Sequence, residues 1–246
     1  MFKLPQNPAT AYSAQDQLVW KILFDRQTAL LHRRAAPVFS EGLARLGLRR
    51  DAIPEIRALS EQVQALSGWQ LVPFGQQVDL TTFFGLLAER KFPVVTRLRL
   101  MRDFDFSPQP DLFHDLFGHV PMLLDAAFAN FLHELGQAAQ VLPATDTATR
   151  RQLWALYFFT AEFGLVRHDS KLRLYGAGLL SSAGEIHHCM DEETPRSDFD
   201  LSTVLSTPVL DTRFQNQYFV LPDWEQLAGY AAELTGLLAA DWRQAA

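Results

Sequence analysis

The chain has a single cysteine in 246 residues. Cys189 therefore has no partner within the chain, which excludes an intrachain disulfide and suits a reducing compartment, so a cytoplasmic protein is expected. No run of about eighteen apolar residues occurs, which argues against a membrane-spanning helix. The opening segment MFKLPQNPATAYSAQDQ lacks an extended apolar stretch and does not read as a secretory signal. Excess positive charge is also missing. The formal net charge is −6, so nothing electrostatic points to a nucleic-acid partner. The short basic pairs Arg33-Arg34, Arg49-Arg50 and Arg150-Arg151 are most simply solvated helix faces. Repeats and low-complexity tracts are absent as well.

What is present suits one large globular domain. Hydrophobic residues make up 48% and charged residues 20%, a balance that folds rather than stays disordered. The periodicity is mostly helical. Residues 16–48 read as helix with a break or kink at Pro37 and Gly42. A second helix is predicted from Pro54, spacing Leu59, Val63 and Leu66, and ending at Gly68. Residues 70–74 and 94–100 look like short strands. Helices are predicted over 125–141 and 147–166. From Trp224 to Trp242 an amphipathic stripe carries Leu227, Ala231, Leu234, Leu238 and Trp242, and its simplest use is packing on the parent domain. The expected class is mainly α with a small β component.

The chemistry concentrates in PQPDLFHDLFGHVPML, residues 108–123. Imidazole binds divalent transition metals near neutral pH through a neutral ring nitrogen. His114 and His119 lie five positions apart, about 140° from each other on a regular α-helix. Two such side chains would not converge on one ion. Gly118 is expected to resolve this by ending the helix in a left-handed cap, with Pro121 preventing its resumption.

A third donor is suggested by LWALYFFTAEFGLV, residues 153–166, where Thr160 and Glu162 interrupt an otherwise apolar run. A buried glutamate is costly unless it is paired or binds a metal. His114, His119 and Glu162 together would form the facial triad of non-haem Fe(II) oxygenases, with open positions for other ligands. The residues alone leave alternatives open. The three could be a polar cluster, or could hold zinc in a hydrolase, although the HExxH signature of zinc proteases is absent. A non-catalytic helical binding protein is a further reading. His187-His188 does not suggest a second metal site, because adjacent residues face apart on a helix.

Three segments, SPQPDLFHDLFGHVPML, LYFFTAEFGLV and LYGAGLLSSAGE, resemble the pterin-dependent aromatic amino acid hydroxylases. They occur in that family's order and near its spacing, and weaker similarity runs from Trp20 to about Trp224. The resemblance implies a mostly helical catalytic domain, here of bacterial type, over residues 1–246. It implies a monomer with neither a regulatory domain nor a tetramerisation helix. It implies Fe(II) held by His114, His119 and Glu162, a tetrahydropterin as electron donor, dioxygen as co-substrate, and a small aromatic amino acid as substrate. Arg99 matches the family's clamp on the substrate carboxylate, as a guanidinium fork suits. Ser107 and Ser181 match residues near the substrate, and Pro110 and Phe163 line the ring pocket. Phe83 matches the ring that stacks on the pterin, Tyr157 a tyrosine near pterin and iron, and Asp115 stands where the family usually has a pterin-side glutamate.

Two positions bear on the ring. Phe158 stands where phenylalanine and tyrosine hydroxylases usually carry tryptophan and tryptophan hydroxylases carry phenylalanine. Asp211, three residues before Phe214, falls where tyrosine hydroxylases carry aspartate. These point different ways. The expected reaction is phenylalanine 4-hydroxylation, with tryptophan 5-hydroxylation next and tyrosine 3-hydroxylation behind it.

Overall fold

The computed structural model describes residues 12–142, 146–210, 213–227, 229–230, 232–233 and 236. Helix α1 (Ala14–Leu31) starts from a capping box in which Ser13 and Asp16 satisfy each other's backbone N–H groups. The helix expected over 16–48 is two helices. Ala36 is extended, as a residue before proline prefers, and α2 (Pro37–Leu46) starts on Pro37. Gly42 is not a break. It is buried within α2, and a Cβ there would lie 2.1 Å from the Pro121 carbonyl oxygen. Glycine lets α2 run against the segment that follows His119.

Helix α3 (Ile56–Ser67) begins two residues after Pro54, because the Glu55 carboxylate caps the N–H groups of Arg57 and Ala58. It ends at Gly68, as expected. Strand β1 (Gln70–Phe74) pairs in parallel with β2 (Lys91–Val95), in register from Gln70↔Lys91 to Phe74↔Val95. Helix α4 (Leu80–Ala88), capped by Asp79, makes the crossover. The second strand therefore lies earlier than the predicted 94–100. Thr96 N–H still donates to the Phe74 carbonyl at 2.8 Å, but Val95 N–H donates to Asp115 at 2.6 Å and Arg99 N–H to Asp111 at 2.7 Å. Carboxylates thus satisfy backbone donors that face away from β1 or lie past the end of the pairing.

Helix α5 (Ala126–Val141) starts at Asp125 as predicted. Helix α6 (Thr147–Tyr157) does not continue to Val166. It widens into a π-helical turn over Phe158–Glu162, and the chain leaves as β3 (Leu165–His168). Strand β4 (Lys171–Leu174), helices α7 (Ala177–Ser181) and α8 (Ala183–Met190), β5 (Arg196–Asp198), α9 (Leu201–Ser206) and β6 (Tyr218–Leu221) follow. Among the described residues these strands form one sheet in the order β4-β3-β6-β5, antiparallel only between β3 and β4.

A continuous core runs from Val19 to Leu227, and its fully buried centre includes Phe113, Leu116 and Phe117 beside the histidines. Of the expected C-terminal stripe, Leu227 is buried. Ala231, Leu234, Leu238 and Trp242 lie outside the described residues, as does Asp211. No described helix is long and apolar enough to cross a membrane.

Candidate active site

His114 and His119 are brought together differently from the expectation. Residues His114–His119 form a π-helical turn, closed by the bond from Val120 N–H to the Asp115 carbonyl. An i→i+5 bond puts residues five apart about one turn above each other, so both imidazoles emerge on one side. Gly118 is not a left-handed cap. The left-handed glycines among the described residues are Gly47 and Gly68. Its lack of a side chain serves close approach instead, since a Cβ at 118 would stand 2.9 Å from the Ala177 Cβ. Nor does the helix stop at Pro121. The chain tightens into a 3₁₀ turn over Val120–Leu124 with the proline in its first turn, where a missing N–H is harmless.

Glu162 is delivered by the second π-helical turn. There Phe163 N–H bonds the Phe158 carbonyl at 2.9 Å. Both turns depart from the α-helix where donor side chains must be aimed, a recurrent use of π-bulges.

The donor atoms converge. His114 Nε2 and His119 Nε2 are 3.1 Å apart. Glu162 Oε1 lies 3.0 Å from His119 Nε2, and Oε2 lies 3.3 Å from His114 Nε2. Such electron-rich atoms repel unless a cation sits among them. Two donors about 2.1 Å from a common ion stand about 3.0 Å apart at right angles and about 3.4 Å apart at a tetrahedral angle. The 3.0 and 3.1 Å separations match the right-angle spacing and 3.3 Å lies nearer the tetrahedral one, so the three side chains are close enough to share a single ion. Asp115 also brings a carboxylate oxygen within 4.8 Å of the imidazole donors. Its Oδ2, however, is held by the Val95 N–H, whereas Glu162 touches both imidazoles directly. Glu162 completes the donor set and Asp115 backs it.

The surroundings bias the protonation states toward a cation site. Burial works against the Glu162 charge, but the two imidazoles outweigh it and hold its carboxyl well below the usual range. Burial lowers the His119 pKa, keeping that ring neutral. Burial also acts to lower His114, but Glu162 prevails and raises it. A proton there occupies the place of a metal and would leave when one binds. Burial raises Asp115 to about 7. Ser181 Oγ lies 2.9 Å from His114 Nδ1, and Tyr157 OH donates to Glu162 Oε1 at 2.9 Å. These partners orient the donors from behind.

The cluster opens into a cavity of about 360 Å³. The six residues expected around the substrate (Arg99, Ser107, Pro110, Phe158, Phe163 and Ser181) all line it, together with His114 and Glu162. Phe158 and Phe163 pack with ring centroids 4.7 Å apart. A smaller cavity of about 50 Å³ meets the same cluster. Phe83, Asp115 and Tyr157, expected on the pterin side, line this one.

Sequence reasoning missed three residues here. Asp111 grips Arg99 by two bonds, Nη2 to Oδ1 at 2.7 Å and Nε to Oδ2 at 3.0 Å, while the Arg99 backbone N–H donates to the same carboxylate. The pair is buried, and Arg99 outweighs burial to hold Asp111 below the usual carboxylate range. The signal was available, for Asp111 lies in the quoted histidine segment and also accepts from the His114 N–H at 3.0 Å. Glu185, in the quoted LYGAGLLSSAGE, lines the larger cavity with one oxygen accepting from Tyr218 OH and the other without a partner. Trp154 lines both cavities. Its position in an apolar helix read as core gave no separate signal.

Comparison with known proteins agrees with this geometry. A family model described as biopterin-dependent aromatic amino acid hydroxylase matches residues 2–238. The phenylalanine-4-hydroxylase of Chromobacterium violaceum is 40% identical over 227 residues, 92% of this chain and 75% of that protein. That of Ralstonia nicotianae is 39% identical, over 90% of this chain and 71% of that protein. A crystal structure of the C. violaceum enzyme with bound iron(III) and oxidized cofactor 7,8-dihydrobiopterin superposes with a TM-score of 0.88, covering 98% of this chain and 87% of that one at 39% identity.

Proposed function

The chain belongs to the biopterin-dependent aromatic amino acid hydroxylases, and on that premise we propose that it hydroxylates phenylalanine at ring position 4, using Fe(II), a tetrahydropterin and dioxygen. One observation carries the site assignment: the cavity that holds a guanidinium and an aromatic wall also ends on His114 and Glu162, two of the three converging metal donors, with His119 behind them at the smaller cavity. The bacterial relatives named above, phenylalanine-4-hydroxylases by name, favour phenylalanine.

His114, His119 and Glu162 would hold the iron. When bound, iron and tetrahydropterin supply the activation of dioxygen, which no side chain here can perform. The chain's own residues bind, orient and shield. Ser181 fixes the His114 ring so that Nε2 faces the ion. Tyr157 holds the Glu162 carboxylate by its hydroxyl hydrogen bond. Arg99 would receive the substrate carboxylate. Asp111 already occupies Nε and one N–H of Nη2, and the Ser181 carbonyl takes one of Nη1 at 3.0 Å. Of five guanidinium N–H groups, one on each Nη remains, enough for a two-point grip held in a fixed direction. Ser107, whose hydroxyl now donates to the Gln109 carbonyl at 2.7 Å, stands at the same cavity. Pro110, Phe158 and Phe163 would bracket the ring and keep water from the donors. Phe83 would offer the pterin an aromatic face, with Asp115 and Tyr157 closing that side.

The proposal treats residues 1–246 as one catalytic domain, supported by the continuous core. It also places the enzyme in the cytoplasm as a monomer. The buried free Cys189 suits the former. For the latter, the large exposed apolar side chains are few among the described residues, and beyond the neighbours Leu18 and Ile22 and the neighbours Leu100 and Met101 they stand on separate elements, as Leu66, Val141 and Met190 do. Size-exclusion chromatography with light scattering checks the monomer.

The test of function is a substrate panel. Anaerobic Fe(II) protein with a tetrahydropterin receives phenylalanine, tyrosine or tryptophan, and products are identified after air is admitted. Tyrosine from phenylalanine is expected to form fastest. Faster 5-hydroxytryptophan formation overturns the phenylalanine assignment in favour of the reading that Phe158 suggests. Iron-dependent oxygen uptake without product from any of the three overturns both.

A further inference from the structure

The two cavities share five lining residues, Gln77, Pro110, His114, Trp154 and Glu162. His114 and Glu162 are fixed in the donor cluster, proline is rigid, and Gln77 is a slender exposed side chain. Trp154 is a large side chain held by ring contacts alone. It stacks on Tyr157 (centroids 5.3 Å, planes 21° apart), tilts on Phe158 (5.9 Å) and meets Phe83 edge-on (6.2 Å, 87°). It is only half-buried.

The smaller cavity holds about 50 Å³. At about 10–15 Å³ per water that is room for about four waters. A bicyclic pterin needs several times as much, so it cannot seat beside Phe83 with the walls where they stand. Tyr157 cannot yield without breaking its bond to Glu162. Phe83 is backed by Phe84 and Phe92. The exposed Gln77 side chain is narrow and can withdraw into solvent, whereas the part-buried indole of Trp154 is the large shared wall that can swing, and the larger cavity, about 360 Å³, also borders it.

We propose that Trp154 is a swinging partition: it leaves the smaller cavity when a pterin enters, closes against the larger one, and so makes pterin seating set the size of aromatic ring accepted. This deepens the reading above and rests on it. Trp154 thereby becomes a specificity-determining residue.

The test compares wild-type protein with Trp154→Ala and Trp154→Phe, all loaded with Fe(II) under anaerobic conditions and checked for folding by circular dichroism. Calorimetric titration with 7,8-dihydrobiopterin reads the partition directly. Trp154→Ala no longer has to displace stacked rings and should bind about threefold tighter or more, with Trp154→Phe between. In turnover, Trp154→Ala should raise kcat/KM for tryptophan relative to phenylalanine by about tenfold. Unchanged or weaker dihydrobiopterin binding in both variants overturns the partition, because the indole is then a fixed part of the pterin seat. An unchanged substrate ratio overturns the specificity role. Wild-type protein that binds no dihydrobiopterin overturns the functional reading itself, an outcome distinct from either.

Discussion

The larger cavity is bounded by two glutamates, Glu162 part-buried and Glu185 buried, that the fold treats in opposite ways. Glu162 sits between two imidazoles and receives the Tyr157 hydroxyl. Burial opposes its charge, yet these neighbours hold its carboxyl well below the ordinary range. Glu185 is less exposed still, and among the described residues its side chain has one hydrogen-bond partner, the Tyr218 hydroxyl. Burial prevails there and raises its pKa to about 7. Depth alone therefore does not decide whether a carboxyl is charged. The difference lies in how many donors and cationic groups the fold aims at it. The first glutamate is set up as a metal ligand, and the second exchanges its proton near neutral pH.

The contrast breaks most visibly at Glu162. Glu162→Gln removes the charge that draws a cation to the imidazoles. Affinity for Fe(II) or Co(II), followed by anaerobic titration, should fall at least about 100-fold. Unchanged affinity would show that the carboxylate is not a donor.

Next in size is the other buried ion pair of the cavity. Asp111→Asn leaves the Arg99 guanidinium buried without its countercharge, which should cost about 3–5 kcal/mol of stability in denaturant unfolding. A loss below about 1 kcal/mol would mean that water reaches Arg99 and that the pair is not buried in solution.

Glu185 sharpens the comparison through pH. Its folded pKa of about 7 exceeds the ordinary 4.5. Between these values the folded protein binds more protons than the unfolded chain, so stability falls as pH rises through that window and stays reduced above it. Glu185→Gln should therefore be neutral near pH 4.5 and stabilising at pH 8, by at most about 3 kcal/mol. Equal melting shifts at both pH values would show a carboxyl that never changes state on folding.

Tyr218→Phe has the smallest expected effect. It removes the one hydrogen bond that lowers the Glu185 pKa. It should cost about 1–2 kcal/mol and move the alkaline loss of stability to higher pH. Pairing it with Glu185→Gln should erase the pH dependence of that cost.

How much of this was legible depends on the residue. The metal donors were, because two histidines near a glycine and one glutamate in an apolar run are unusual enough to stand out. Their convergence was legible but its means were not. Left-handed caps leave a familiar mark, glycine at a helix end, and Gly68 fits it. A π-helical turn leaves none, since the extra residue per turn is imposed by what packs around it. At Gly118 the glycine was rightly singled out but wrongly explained, as its reason is Ala177, fifty-nine positions away in the chain. Strand β2 was displaced for a similar cause: its pairing with β1 ends at Val95, and carboxylates of Asp111 and Asp115 satisfy backbone donors that face away from β1 or lie past that end.

The sequence alone determined the helical class, the Gly68 cap, and the identities of His114, His119 and Glu162, because periodicity and side-chain chemistry are local properties. Only the tertiary structure decided the rest. It sets the five-residue turns that aim the donors, the grip of Asp111 on Arg99, and the opposite pKa shifts of Glu162 and Glu185. It also places Trp154 between two cavities. Each of these depends on which distant groups become neighbours, and an electrostatic or steric partner is fixed by distance in space, not by position along the chain.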